Sequence, residues 1–144
     1  MKIYKMVFSP IEVNTYILAE DSGDCAIIDC GCYDKEECKI LENFIKDNHL
    51  NPVLLLNTHS HLDHVFGNRF ILEKYGLRTF SSELDEINRK NAKQHAMIFG
   101  LTMDEPPEPG GFIKDNQSVT FGTTKLLALH VPVILQGAWL FTMK

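Results

Sequence analysis

One short window governs what this chain can become. The aliphatic run Val53-Leu54-Leu55-Leu56, opened by Pro52, leads directly into Thr58-His59-Ser60-His61-Leu62-Asp63-His64. Four aliphatic residues in a row read as a strand buried on both faces. A loop leaving such a strand is anchored by the sheet, so its side chains hold fixed positions relative to one another. Three of the chain's six histidines fall in this window, with an aspartate beside the last. In the order H-x-H-x-D-H, alternate residues of a tight loop point at one cation while their neighbours point at a second. Imidazole nitrogen suits zinc and also iron, and a carboxylate helps to hold a borderline ion. Two such ions about 3.5–4 Å apart can share a water, lower its pKa and polarise the bond it attacks. The bland alternative, a polar loop with three unrelated histidines, does not explain the clustering.

The rest of the chain supplies a scaffold for that loop. Lys2–Phe8, Val13–Ala19 and 25–29 are strand-like runs separated by turn-forming Ser9-Pro10 and Asp21-Ser22-Gly23-Asp24. Asp34 with Glu37 forms a capping box for a helix whose apolar stripe is Ile40, Leu41, Phe44 and Ile45. Beyond the histidines, Asn68–Tyr75 reads as a helix stopped by Gly76, 77–80 as a short strand, and Ser82 with Asp85 as the cap of a helix reaching about Phe99. The Pro- and Gly-rich stretch 105–111 is a loop, and 112–114, Ser118–Phe121 and 125–131 read as three more strands. This α/β order suits helices outside two mixed sheets, an αββα sandwich or part of one, in a single domain over 1–144.

Composition narrows the partners. A net charge of -5 argues against a nucleic-acid binder, and no apolar run approaches the roughly 20 residues that cross a bilayer. The N-terminus enters a strand-like pattern without a signal peptide's apolar region, so a cytoplasmic location is expected. Cys25, Cys30, Cys32 and Cys38 lack zinc-knuckle or disulfide-framework spacing and are expected as reduced, buried or half-buried residues.

The window of residues 58–64 resembles the signature of the metallo-β-lactamase superfamily, especially its hydroxyacylglutathione-hydrolase-like branch. Val13-Asn14-Thr15-Tyr16-Ile17-Leu18 is similar to that family's second-strand segment. Ala26-Ile27-Ile28-Asp29-Cys30-Gly31 is similar to its "IIDPG" strand end, with cysteine in place of proline. Val65-Phe66-Gly67-Asn68 stands where "hxGN" is common. The resemblance implies His59 and His61 on a first metal, with Asp63 and His64 on a second. It makes Asp63 also the catalytic residue that orients a metal-bound hydroxide against a thioester or ester carbonyl. Zinc, up to two ions in a complete site, is the implied cofactor, with iron or manganese as alternatives and a small molecule as substrate. Asp29, Thr58 and Asn57 either support the ligands from behind or simply close the strand. His95 reads as a surface helix residue, His49 as a helix-end residue, and Phe66, Phe99 and Met103 as core or pocket lining.

The pattern then breaks. The family's next block follows a strand and has the form His-x-Pro-Gly-His-[Ser/Thr]-Pro-Gly-Ser; its inner histidine completes the first metal. Here Leu129-His130-Val131-Pro132 begins the block, with His130 at the outer, non-ligating position, and 133–144 form an atypical tail. Codons can be chosen for that tail which, after one restored base, read Gly-His-Ser-Pro-Gly-Ser-Leu-Ala-Phe-Tyr-Asn-Glu. The expectation is a truncated or frameshifted copy of a longer enzyme, the N-terminal half to two-thirds of the sandwich. A catalytic zinc keeps three protein ligands plus water, so each position would be short of ligands. An apolar face would remain, covered in part by Trp139, Leu140 and Phe141 or by a homodimer. Two readings stay open: a metal-dependent hydrolase, and an inactive metal-binding or oligomerising domain of one. A third, an iron-using redox relative, lacks the flavodoxin-like partner and extra carboxylates it would need.

Overall fold

The computed structural model describes residues 1–132 and 137–143. The elements run β1 (Lys2–Phe8), β2 (Val13–Ala19), β3 (Asp24–Ile28), α1 (Lys35–Asp47), β4 (Asn51–Leu56), α2 (Leu62–Val65), α3 (Asn68–Tyr75) and β5 (Thr79–Ser81). A 3₁₀ turn, Glu83–Asp85, leads into α4 (Glu86–Ile98), followed by β6 (Gly111–Phe112), β7 (Ser118–Phe121), β8 (Thr124–His130) and β9 (Trp139–Met143). Strands β1 to β6 form one sheet in sequence order, antiparallel as far as β3 and parallel from β3 onwards; β7, β8 and β9 form a second, antiparallel sheet.

The two-residue period of the central strands sorts the core into layers. Ile17, Ile27 and Leu55 point to one side and pack with Leu41 and Ile45 of α1 and Ile71 of α3. Their neighbours Leu18, Ala26, Ile28, Leu54 and Leu56 point to the other and pack with Phe121, Leu126, Ala128 and Trp139 of the small sheet. Helices, large sheet and small sheet are thus stacked in order, three layers of an αββα sandwich. Burial on both faces is why β4 is continuously apolar, and a fully buried leucine such as Leu55 contributes about 1.5–3 kcal/mol. Pro52 lies inside β4 and does not open it. The pairing with β3 slips between Cys25 and Ala26, beside this residue that has no N–H to give.

Several boundaries differ from the sequence expectation for local reasons. Strand β3 ends at Ile28 because Asp29 turns to φ 55°, a left-handed conformation that aspartate tolerates better than most residues. Ser82 caps the 3₁₀ turn through Leu84 N–H at 3.2 Å, and α4 begins only at Glu86. Lys114 is not in a strand, and Ile113 donates to Ser81 O at 2.9 Å. Part of the atypical tail is β9, antiparallel to β8, with Trp139 and Phe141 in the inter-sheet core and Leu140 half exposed. Residues 133–136 and 144 of that tail lie outside the described residues. Phe99 is 68% exposed, against the expectation of core or pocket lining. His95 is half-buried in the last turn of α4, where a surface residue was expected. Among the described residues, no helix is long and apolar enough to cross a membrane.

Candidate metal centre

The histidine loop starts where β4 ends. Asn57 N–H donates to Phe80 O of the adjacent strand at 3.1 Å, so the chain leaves the sheet under restraint. His59 and Ser60 are buried in the loop, and His61 is the N-cap of α2, its ring free of any capping bond. The first turn of α2 then raises Asp63 and His64 on the same side, closed by His64 N–H to His61 O at 3.0 Å. The rings of His59 and His64 lie 3.9 Å apart and those of His59 and His61 4.9 Å apart, centroid to centroid. Asp63 Oδ2 is 3.6 Å from His64 Nε2. The four residues the motif singles out therefore share one patch. The His130 ring lies tilted against Trp139, 5.2 Å centroid to centroid, and its backbone N–H donates to Asp115 Oδ1 at 2.8 Å.

Asp29 organises the loop from behind. Its Oδ1 accepts the Thr58 N–H at 2.7 Å and the Asn57 amide at 3.3 Å, and its Oδ2 accepts the Thr58 hydroxyl at 2.5 Å. Because Thr58 spends its proton on Asp29, its oxygen is left to accept the Nδ1–H of His59, 3.0 Å away. This network assigns the proton of His59 to Nδ1 and leaves the lone pair on Nε2. His64 Nδ1 also faces Asp29, 3.0 Å from Oδ2, off the N–H axis and so an ion-pair contact more than a linear hydrogen bond. Burial and the neighbouring His64 push His59 down to about 4, so its imidazole is neutral at neutral pH. For His64 burial works downward, but the Asp29 carboxylate outweighs it and raises the ring's pKa.

Asn57, expected either to support the loop or to close the strand, supports it, and two further supports, Asp85 and Gly31, were not legible as such in the sequence. Asn57 donates to His64 O at 2.8 Å, and its own oxygen accepts Asn68 Nδ2 at 2.8 Å and Thr79 Oγ1 at 2.7 Å. Asp85, read from sequence as a helix-cap partner, instead accepts the buried Ser60 N–H at 2.8 Å between two histidines. A Cβ on Gly31 would run into the Val13 side chain and stand 3.2 Å from Asp63 O. Only the "hxGN" segment hinted at Asn68; Thr79 and Asp85 reach the loop through folding of distant segments.

The donor chemistry fits a borderline divalent cation: a neutral His59 imidazole with its lone pair on Nε2, two further histidines, a carboxylate, and the Asp29 carboxylate facing a ring nitrogen of His64. The spacing is that of an open loop. Among the described residues, no three His, Cys, Asp or Glu side chains converge at metal-ligand spacing.

A sequence profile described as the Metallo-beta-lactamase superfamily matches residues 9–134. This chain belongs to the metallo-beta-lactamase superfamily. A hydroxyacylglutathione hydrolase of Buchnera aphidicola is 38% identical over 73 residues, 49% of this chain and 27% of that protein. The probable metallo-hydrolase YqgX of Bacillus subtilis is 31% identical over 103 residues, 72% of this chain and 44% of the relative. Among solved structures, TTHA1623 in a di-iron-bound form superposes with a TM-score of 0.82 at 28% identity, covering 96% of this chain and 66% of that one. The superfamily and its sandwich are those the motif implies, and the chain spans under two-thirds of the curated relatives it matches.

Proposed function

We propose that the histidine loop is the metal-holding half of a hydrolase acting on a thioester or ester carbonyl. The observation that carries this reading is the relay from Asp29 through Thr58 to His59, which presets a metal-binding imidazole before any ion arrives. His59 and His61 would hold one ion, and Asp63 and His64 a second. When bound, such ions supply a water of lowered pKa and a Lewis acid for the carbonyl oxygen. Asp63, at the open side of the patch, orients the attacking water and takes up its proton. The names of the hydroxyacylglutathione hydrolases and of YqgX support hydrolysis as the reaction class. Zinc titration calorimetry and turnover of a simple thioester test the reading. It predicts binding that is lost in His61→Ala together with turnover; zinc affinity unchanged in His61→Ala overturns the ligand assignment.

A second reading, a metal-binding domain without activity of its own, is favoured by the open spacing of the donors. The residues after Pro132 carry none of the superfamily's second histidine block, and we attribute their sequence to a shifted reading frame. Replacing residues 133–144 by Gly-His-Ser-Pro-Gly-Ser and its continuation separates the two. Turnover only in the restored chain supports the inactive reading, whereas equal metal loading and turnover in both refutes it. Sequencing the gene through the Pro132 codon tests the frameshift directly.

A further inference from the structure

His59 and His61 flank Ser60, and the grip on Ser60 comes from outside the motif. Its buried backbone N–H donates to Asp85 Oδ2 at 2.8 Å. Asp85 stands at the N-cap of α4 yet makes no side-chain capping bond. Its backbone, at φ -95° and ψ 0°, is not the extended conformation from which a capping side chain turns back onto its own helix. The residue is 1% exposed, and Asn88 Nδ2, 3.5 Å from Oδ1, is the weaker partner of its carboxylate. A helix start needs no buried charge, and burying one is costly unless it is bonded. Asp85 therefore gives its short bond to the histidine loop and not to α4.

The chain before β9 closes over this contact. A Cβ on Gly137 would stand 2.5 Å from Asp85 Oδ1 and 2.8 Å from Ser82 Cβ, and Trp139 N–H donates to Thr58 O at 2.7 Å. Both sequence neighbours of His59 are thus held, Thr58 by Asp29 and Trp139 and Ser60 by Asp85. The other half of the loop has different supports. Leu62 and Val65 of α2 pack with Ala92 and Ala96 of α4, and Asn57 holds His64 O.

We infer that Asp85 is a positioning residue for the His59–His61 pair, acting through the Ser60 N–H, and that it sets the first metal position without setting the second. This rests on the metal-holding reading of the loop. An amide fixed between the two histidines fixes the backbone from which both rings project. Asp63 and His64 take their placement from α2 instead.

Zinc titration of the chain with isotope-labelled histidines, followed by NMR of the imidazole nitrogens, reads each ring separately. In wild type the signals of His59, His61 and His64 should all move. No movement in any of them overturns the metal-holding reading itself, and this inference with it. In Asp85→Ala the affinity read at His59 and His61 should fall by about 10–100-fold, as for other groups that orient a ligand from behind, while that read at His64 stays close to wild type. An equal fall at all three rings marks a general loosening of the loop and overturns the assignment, as does wild-type affinity at His59 and His61. Asp85→Asn keeps an acceptor oxygen for the Ser60 N–H and should lie between wild type and Asp85→Ala. Should Asp85→Ala fail to fold, Asp85→Asn decides alone: a neutral amide accepts more weakly than a carboxylate, so unchanged affinity at His59 and His61 overturns the proposal.

Discussion

The Asp29 carboxylate binds both the backbone N–H and the hydroxyl of Thr58, and so fixes the residue that in turn orients His59. Asp29 closes β3 and Thr58 leaves β4, parallel neighbours whose ends meet because the sheet registers Ile28 opposite Leu56. The loop's order is therefore inherited from the sheet.

Asp29→Asn tests that dependence while keeping a residue that accepts φ 55°. The amide cannot satisfy all the Thr58 and Asn57 donors, and a charged acceptor is lost from a buried position. A loss of about 2–3 kcal/mol in denaturant unfolding is expected. Zinc affinity should fall by about 10–100-fold in calorimetry, as for other groups that orient a ligand from behind. Unchanged affinity would remove Asp29 from the site.

Asp85→Ala leaves the buried Ser60 N–H without its acceptor. The cost should be about 1–3 kcal/mol, read as a lower midpoint at unchanged m-value. Asp85→Asn, which keeps an acceptor oxygen, should recover part of it.

Gly67→Ala probes the packing behind the loop. Gly67 N–H donates to Cys30 O at 2.8 Å, and a Cβ would run into the Cys30 sulfur while standing 2.9 Å from that carbonyl oxygen. Backbone and a buried side chain have little room to move, so overpacking should cost about 1–3 kcal/mol in thermal or denaturant unfolding. A neutral result would mean that the α2–α3 junction shifts freely.

Glu20 links the end of β2 to the turn between β7 and β8, accepting from Thr123 and Thr124. These bonds, the Thr124 hydroxyl first, hold its carboxyl down at about 2 against an ordinary 4.5. A carboxylate lowered on folding contributes stability above its unfolded value and loses it as pH falls through the folded one. Acid titration of wild type and Glu20→Gln should therefore show a stability gap at neutral pH. The gap should shrink below about pH 4.5 and close near pH 2. A gap that does not change with pH would assign the effect to shape and not to charge.

The sequence alone determined the local rules of this protein. Alternating apolar residues in β2, the double-sided run in β4, the Asp34–Glu37 capping pair and the glycine after α3 are short-range patterns, and the structure follows them. The four clustered loop residues were legible for the same reason, since neighbours in sequence must be neighbours in space. Tertiary structure decided what stands behind them. Asp29, Thr79 and Asp85 are separated from the loop by tens of residues, and no periodicity encodes that their oxygens meet Thr58, Asn57 and Ser60. The same holds for β9, a strand that exists because β8 offers an edge to pair with. Side-chain chemistry is written residue by residue, whereas the burial that tunes it exists only once the sheets have closed.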